Sequence, residues 1–406
     1  MGLILLVMLL YSLFLMVLLL ACIKHKAYDQ VIILSASVGW VISGQYINHR
    51  FSYYIQLFTA VLMLNSILIK GLSLATPAKT RYGSAKYFLS LSLIVAITSI
   101  ANSTGYTGIL RFFLLAVFVS FLSCVDKSQL QSAIGKVIVL QTIACLSIFS
   151  SRQPRMQIAY DFQAGTETFP NLVGHPNYLA YVAAINCVLF LFIFVNKRYL
   201  RTVGYFLNLS AILYSQCRSA ALAAALGTVI FLLQRKDRDP TSKEQNRSFG
   251  NLFFVTLLPL VLIFLGGSMV QRFLQIADSG GLTGNNSLGW RVLQWKTVIS
   301  QVHNFFWIGA GWQNSRHLLL SGLQAHDSFL QVFMELGIFG LIVYCLIILK
   351  IFNDFVRSRV GLTLIPVFLI SSIVDAGILY PAIAFYVLLA SSILDRSNWR
   401  ANLENI

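Results

Sequence analysis

The sequence has 406 residues, of which 57% are hydrophobic and 11% charged, and its formal net charge is +16. Soluble domains average about 45–50% apolar and about 25% charged residues, so an ordinary soluble enzyme, a disordered chain and a nucleic-acid-binding protein are excluded. The composition predicts an all-α, polytopic integral membrane protein. In that class an excess of Lys and Arg marks the cytoplasmic loops.

Apolar runs of about membrane-spanning length recur along the whole chain. The first run, residues 3–23, has no basic segment before it and no small-residue cleavage site, so it is interpreted as a retained membrane helix. We predict twelve or thirteen spans, with these boundaries: 3–23, 28–46, 51–69, 87–101, 106–124, 132–150, 176–195, 203–217, 218–233, 251–268, 328–349, 360–379 and 381–394. The prediction is one transmembrane domain over residues 1–406, without an internal repeat.

The basic residues support this topology, because alternate loops carry most of them. Placing those loops in the cytoplasm accounts for 21 of the 30 basic residues. Nine basic residues lie elsewhere: Arg50, Arg111, Arg152, Arg155, Arg218, Arg272, Arg291, Lys296 and Arg316. Since topology does not explain these nine, functional residues are sought among them.

Two loops on the opposite side of the membrane are long, residues 151–175 and residues 269–327. The second is the only extramembrane segment large enough to fold, and we predict short amphipathic helices in it. Its Gly-, Asn- and Ser-rich part, residues 278–289, predicts a mobile loop. Residues 290–308 then predict an amphipathic helix at the headgroup level, with Val292, Trp295 and Ile299 on one face.

Two arginines are the strongest candidates for binding an anion. Arg218 lies where two spans meet at the outer surface, and a guanidinium at that depth is costly unless it is paired or wetted. Arg291 follows the loop predicted to be mobile. Arginine binds phosphate oxygens in a bidentate manner, so two arginines in one pocket would suit a pyrophosphate. The alternatives are an interhelical arginine for Arg218 and an interfacial anchor for Arg291.

Two histidines open predicted spans. His326 lies at the outer mouth of a helix, where an imidazole can titrate near neutral pH and accept a proton from a hydroxyl group, although a capping role is the alternative. His175 precedes Pro176, which suits a first helical position, so a structural role is favoured there. Glu335 lies about 13 Å deeper than His326 and on the opposite helix face. We therefore expect Glu335 to meet another helix or a wet cavity rather than orient His326.

Carboxylates on the outer side are scattered rather than clustered. They are Asp161, Glu167, Asp278, Asp327, Glu335 and Asp375. A Mg²⁺ site requires converging carboxylates, so we predict no metal site and no cofactor. The Asp237-Arg-Asp239 sequence lies in a basic cytoplasmic loop and is interpreted as solvated charge, and the sequence contains no phosphate-binding P-loop.

Three stretches in this order resemble the O-antigen ligase superfamily of bacterial membrane glycosyltransferases. The first is residues 216–220, the second residues 287–295 continuing to Gly309-Ala-Gly-Trp312, and the third His326-Asp-Ser-Phe-Leu330 with Glu335-Leu-Gly337. The resemblance covers roughly residues 170–345. The superfamily includes O-antigen ligases, O-antigen polymerases and bacterial O-oligosaccharyltransferases. Asp327 stands where the superfamily usually has Asn.

The resemblance implies a glycan donor on undecaprenyl pyrophosphate, presented at the outer leaflet. Arg218 and Arg291 would hold the pyrophosphate, and His326 would deprotonate the acceptor hydroxyl. The possible accessory residues are Arg272, Arg152, Arg155, Asp327 and His175. Transfer would be metal-independent and would invert the anomeric carbon. The implied location is the bacterial cytoplasmic (inner) membrane, with membrane lipids as partners and the site facing the periplasm.

Several functions compete within this interpretation. A lipid A–core acceptor would make the protein an O-antigen ligase, which we favour. Another lipid-linked glycan would make it a polymerase, and a pilin-like protein would make it an oligosaccharyltransferase. A transporter of lipid-linked glycans is the alternative from another class. A transporter should place its charged residues at the membrane midplane, whereas a transferase should gather Arg218, Arg291 and His326 near one surface.

Overall fold

In the computed structural model, the described residues are 2–42, 49–73, 85–104, 107–150, 171–173, 175–194, 197–236, 287–314, 318–319, 325–375 and 377–394. Every regular element in these ranges is a helix. The α-helices are α1 (Gly2–Lys24), α2 (Tyr28–Val41), α3 (His49–Ser73), α4 (Ala85–Ala101), α5 (Thr107–Cys124), α6 (Lys127–Leu146), α7 (Pro176–Ile193), α8 (Arg198–Ser215), α9 (Arg218–Lys236), α10 (Ser287–Ser300), α11 (Val302–Phe305), α12 (Ser328–Val356), α13 (Arg359–Val374) and α14 (Pro381–Leu394). Two short 3-10 helices span Ser147–Ser150 and Gly377–Leu379.

Twelve of the thirteen predicted spans coincide with one of these helices, and the remaining one, residues 251–268, lies outside the described residues. Within the described ranges, six helices are long and apolar enough to cross a membrane, and α4, α9, α13 and α14 contain shorter apolar stretches. The predicted all-α polytopic membrane fold is confirmed. In lipid a helix satisfies its own backbone hydrogen bonds, which is why apolar runs of this length fold as helices.

The bundle has a lipid-facing periphery and a packed centre. α1 is apolar around its whole circumference. Only 17% of the residues in its most apolar stretch, within Leu5–Lys24, are buried. α7 lies at the centre, and 78% of the residues in its most apolar stretch are buried. It packs against α6, α8, α9, α13 and α14. The amino-terminal end of α7 therefore lies close to the ends of several other helices.

A tight turn joins α8 to α9. Gln216 caps α8 in the left-handed conformation, with a φ of 55°, and its backbone N–H donates to the Leu213 carbonyl. The Cys217 N–H then donates to the Ser215 hydroxyl at 3.1 Å. Only two residues separate the helices, so Arg218 begins α9 at the end of the bundle where α8 finishes.

α12 is interrupted at Gly337, whose φ of 67° and ψ of −167° are not helical. This backbone region is essentially restricted to glycine. A Cβ atom there would also overlap the backbone carbonyl of Trp307. The break is therefore encoded by the glycine itself.

The segment after α11 fills the break in α12. The Met334 and Glu335 carbonyls accept hydrogen bonds from the Ala310 and Gly311 N–H groups, at 2.8 and 3.0 Å. The N–H of Ile338 donates to the Phe306 carbonyl at 2.8 Å. Two stretches singled out in the sequence, Gly309-Ala-Gly-Trp312 and Glu335-Leu-Gly337, are thus one packed unit.

The predicted amphipathic helix is present but shorter, because α10 ends at Ser300 rather than near residue 308. Gln294 and Val298 of α10 are buried, whereas Ile299 is 63% exposed. The Trp295 Nε1–H donates to the Ala325 carbonyl at 3.0 Å. This bond fixes the rotation of α10 against the segment that precedes α12.

Candidate functional site

Polar side chains from five helix ends meet at one end of the bundle. The amino-terminal ends of α7, α9, α12 and α14 lie there together with the carboxyl-terminal end of α13. The Ser328 hydroxyl donates to the Ser372 carbonyl at 2.7 Å, which joins α12 to α13. The Tyr181 hydroxyl donates to the Ser219 hydroxyl oxygen at 2.8 Å, which joins α7 to α9.

His326 and Asp375 form the centre of this cluster. The imidazole Nδ1 of His326 lies 3.4 Å from the Oδ1 of Asp375, and their side chains are 22% and 2% exposed. His326 has a φ of 52°, a left-handed conformation that histidine adopts more readily than most residues. This backbone turns the imidazole from the mouth of α12 toward the end of α13.

Two hydrogen bonds and a nearby histidine act on the Asp375 carboxylate. The Tyr380 hydroxyl donates to its Oδ1 at 2.7 Å, and the Asn177 side-chain amide donates to its Oδ2 at 3.4 Å. His175 lies within electrostatic range of the same carboxylate. Asp375 is thus positioned by groups from α7 and from the segment that precedes α14.

The pKa of Asp375 lies below its ordinary value. Burial by itself raises the pKa, but the hydrogen bond and charge of His326, the Tyr380 hydroxyl and the charge of His175 together outweigh burial. The carboxylate therefore stays ionised at neutral pH, beside the histidine predicted to act as a base.

The sequence indicated correctly that Glu335 does not orient His326, but it did not identify Asp375 in that role. The Glu335 carboxylate accepts a hydrogen bond from the Gln331 amide in the same helix and faces Arg111 of α5 electrostatically. Asp375 comes from a different helix. The only sequence signal for it was an ionisable residue near the outer end of a predicted span.

Two predicted accessory residues act as helix caps. Asp327 is the N-cap of α12, and its Oδ1 accepts from the Leu330 N–H at 2.8 Å. Burial raises the pKa of Asp327, against the opposing backbone hydrogen bonds. His175 is the N-cap of α7, followed by proline, and its Nδ1 accepts from the Asn177 N–H at 3.1 Å. The structural role favoured for His175 is present, and its charge also acts on Asp375.

Tyr181 connects the two predicted anion-binding arginines with this cluster. Arg218 is half-buried and directly precedes Ser219, which accepts the Tyr181 hydrogen bond. The phenol of Tyr181 lies within electrostatic range of both Asp375 and Arg291. Tyr181, a fully buried residue of α7, therefore contacts the neighbour of Arg218 and faces both Asp375 and Arg291.

Arg291 is held near His326 by the packing of α10. One turn after Arg291, Trp295 donates to the Ala325 carbonyl, and the Ala325 N–H donates to the Gln331 side chain at 3.0 Å. The Nε atom of Arg291 is buried and has no hydrogen-bond partner among the described residues. A guanidinium nitrogen in this state can donate to an incoming oxyanion.

The other predicted residues lie outside the described part of the chain: Arg152, Arg155, Arg272 and Arg316. Most of the Gly-rich loop, residues 278–286, lies there as well. In the ranges that are described, no group of three or more His, Cys, Asp or Glu side chains is placed to hold a metal ion.

A family model described as O-antigen ligase matches residues 203–345. This match confirms the resemblance to the O-antigen ligase superfamily that the three sequence stretches indicated. It indicates an O-antigen ligase- or polymerase-like function and a glycosyltransferase-like enzyme. The matched stretch includes Arg218, Arg291 and His326, whereas Tyr181 precedes it and Asp375 follows it. No curated protein matches the chain.

Proposed function

We propose that this protein transfers a glycan from undecaprenyl pyrophosphate to an acceptor hydroxyl, and that lipid A–core is the acceptor. The observation that carries the proposal is the contact between His326 and Asp375 at the end of the bundle that also holds Arg218 and Arg291. A base and two guanidinium groups are what transfer from a glycosyl diphosphate requires.

His326 acts as the general base. With Nδ1 facing the Asp375 carboxylate, the proton of a neutral imidazole is stabilised on Nδ1, and the lone pair is on Nε2. Nε2 takes the proton of the acceptor hydroxyl as the oxygen attacks the anomeric carbon. Asp375 then stabilises the imidazolium that forms, as the carboxylate does in a Ser-His-Asp triad.

The two arginines stabilise the leaving group. As the bond between the anomeric carbon and the diphosphate oxygen breaks, negative charge grows on undecaprenyl pyrophosphate. Arg218 and Arg291 donate hydrogen bonds to the phosphate oxygens and offset that charge. A single displacement of this kind inverts the anomeric carbon.

The distribution of charge supports a site that faces the periplasm of a bacterial inner membrane. Lys70 at the end of α3, Arg198 at the start of α8 and Lys350 near the end of α12 all lie toward the end of the bundle opposite His326. Basic residues favour the cytoplasmic side. The candidate site also lies at helix ends rather than at mid-helix, which supports a transferase over a transporter.

The test is transfer by purified protein in liposomes. Lipid-linked glycan is combined separately with lipid A–core, with a second lipid-linked glycan and with a pilin-like protein, and the product is identified by its mass. We expect transfer to lipid A–core. Product with either other acceptor instead would establish a polymerase or an oligosaccharyltransferase, and movement of unmodified donor across the bilayer without transfer would establish a transporter.

Substitutions test the assigned roles. His326→Ala should lower kcat by about 100- to 10,000-fold while donor binding survives, because a general base acts in the transition state. Arg218→Ala and Arg291→Ala should weaken donor binding as well as turnover. His303→Ala and Lys296→Ala are matched controls, since both side chains are exposed in the same loop region and are expected to leave transfer unchanged. Full activity of His326→Ala would refute the assignment of the base.

A further inference from the structure

A third arginine, Arg111, reaches the candidate site from the first half of the chain. Arg111 is the fifth residue of α5 and is half-buried. The next residue, Phe112, packs edge-on against Trp312, with ring centroids 5.2 Å apart, so this end of α5 lies beside the segment that fills the break in α12. The guanidinium lies within electrostatic range of Tyr178, Glu335 and Tyr380. The sequence marked Arg111 only as a basic residue that topology does not explain.

The surroundings of Arg111 connect it to the catalytic pair. The rings of Tyr178 and Tyr380 are in contact, with centroids 3.6 Å apart. The hydroxyl of Tyr380 donates to Asp375, which faces His326. Arg111 therefore lies beside the wall of the site formed by these two tyrosines.

Among the described residues, no close partner neutralises the charge of Arg111. The guanidinium forms no ion pair or hydrogen bond with any residue in the described ranges. The nearby Glu335 carboxylate accepts from Gln331. A guanidinium in a membrane helix is costly when it is neither paired nor wetted, and such residues commonly mark a ligand pathway. Its five N–H donors are suited to an oxyanion.

We infer that Arg111 is a further substrate-binding residue, which holds an oxyanion of a substrate beside the His326–Asp375 pair. The inference rests on the proposed function and adds to it a residue outside the matched stretch. The oxyanion comes either from the donor diphosphate or from a phosphate or carboxylate of the acceptor. Both offer a pair of oxygens that the planar guanidinium of arginine can bind in a bidentate manner.

The test combines thermal protection with kinetics on the full-length protein in detergent. Inorganic pyrophosphate and inorganic phosphate are the probes, and Arg111→Gln, Arg111→Lys and the wild type are compared. We expect at least one anion to raise the Tm of the wild type clearly more than that of Arg111→Gln, in which Arg218 and Arg291 remain, and Arg111→Lys to show intermediate protection. The control is Arg198→Gln, which removes an exposed arginine at the opposite end of the bundle.

Kinetics then assign the source of the oxyanion. A KM about tenfold or more higher for the donor alone assigns the donor diphosphate, and the same change for the acceptor alone assigns an acceptor group. Equal protection of the wild type and Arg111→Gln, with both KM values unchanged, would overturn the inference. A lower Tm of Arg111→Gln without any anion, again with unchanged KM values, would also overturn it, because Arg111 would then be a structural counter-ion. Anion protection that depends on Arg111 in a protein without transfer activity would leave the inference standing and refute the proposed function.

Discussion

Asp375 determines which nitrogen of His326 can act as a base. A histidine without a fixed neighbour exchanges between tautomers, and only one tautomer presents its lone pair to the acceptor. Asp375 is itself held by hydrogen bonds from Tyr380 and Asn177. These two residues therefore help to fix the orientation of the His326 imidazole. The contacts with His326 and Tyr380 lower the pKa of the carboxyl group and link it to stability.

Asp375→Asn should lower kcat by at least about tenfold without a comparable rise in the donor KM, because the amide supports the wrong tautomer. It should also remove a stabilising charge. The folded-state pKa of Asp375 is depressed, so its stabilisation is present above the unfolded pKa and is lost as the pH falls through the folded pKa. The Tm difference between the wild type and Asp375→Asn should persist from about pH 7 to about pH 5 and shrink below about pH 4. A Tm difference that grows below this range would contradict the assignment.

Tyr181 should act as a positioning residue for Arg218, since its hydroxyl holds the residue that follows this arginine. We expect Tyr181→Phe to raise the donor KM and to be non-additive with Arg218→Ala in a double-mutant cycle. Tyr205→Phe is the matched control, because Tyr205 is equally buried and its hydroxyl lies 3.0 Å from Thr228 Oγ1, between α8 and α9. A similar loss of Tm in both variants, with an unchanged donor KM and additive effects, would count against a positioning role.

The sequence could indicate some of these residues and not others for a simple reason. Arg218, Arg291 and His326 each stand in a local context that is visible along the chain: a junction of two spans, the end of a Gly-rich loop, and the mouth of a helix. Asp375 and Tyr181 matter only because distant helices bring them together. No periodicity or spacing encodes that proximity, so it required the packed structure.

At the scale of helices, the hydropathy of the sequence was sufficient to locate the membrane spans. It was not sufficient to predict how a helix is rotated or where it is interrupted. An apolar run in a bilayer satisfies its backbone hydrogen bonds as a helix, so the twelve predicted spans within the described residues coincide with helices. The rotation of α10 was not predicted, because the hydrogen bond from Trp295 to Ala325 that fixes it joins residues far apart in the chain. The interruption of α12 at Gly337 was not predicted, since a glycine within an apolar run is common in membrane helices.

Gly337→Ala should destabilise the protein by about 2 kcal/mol or more, because alanine must adopt a strained conformation and its Cβ atom overlaps the Trp307 carbonyl. The measurement is thermal unfolding in detergent. Gly135→Ala in α6 is the control: a Cβ atom there lies 3.7 Å from Ile193 and Phe194, so stability should be unchanged or slightly higher. Equal Tm values for the wild type and Gly337→Ala would show that the break in α12 is not required.

At the scale of the whole molecule, polarity separates the two ends of the bundle. One end holds the candidate site. The other end holds lysines that form salt bridges. Lys70 pairs with Asp29, and Lys350 pairs with Asp354 at 2.5 Å. These pairs lie at helix ends and join α3 to α2 and successive turns of α12. The positive end should therefore face the cytoplasm.

Single cysteines introduced into a background without the six native cysteines should report this orientation. Asn304→Cys, on exposed α11, is expected to react with a membrane-impermeant maleimide in intact spheroplasts. Tyr199→Cys, at a residue that is 83% exposed near the start of α8, should react only after the membrane is permeabilised. The reverse pattern would place the candidate site in the cytoplasm and contradict the proposed donor orientation.

The separation of Asp375 from the matched stretch has a consequence for protein engineering. A chimaera that exchanges only residues 203–345 with another protein would replace the segment that contains His326 while retaining Asp375 and the Tyr380 that binds it. Specificity grafts should therefore carry α13 and the segment up to Tyr380 along with the loop, so that the base and the carboxylate that orients it come from the same parent protein.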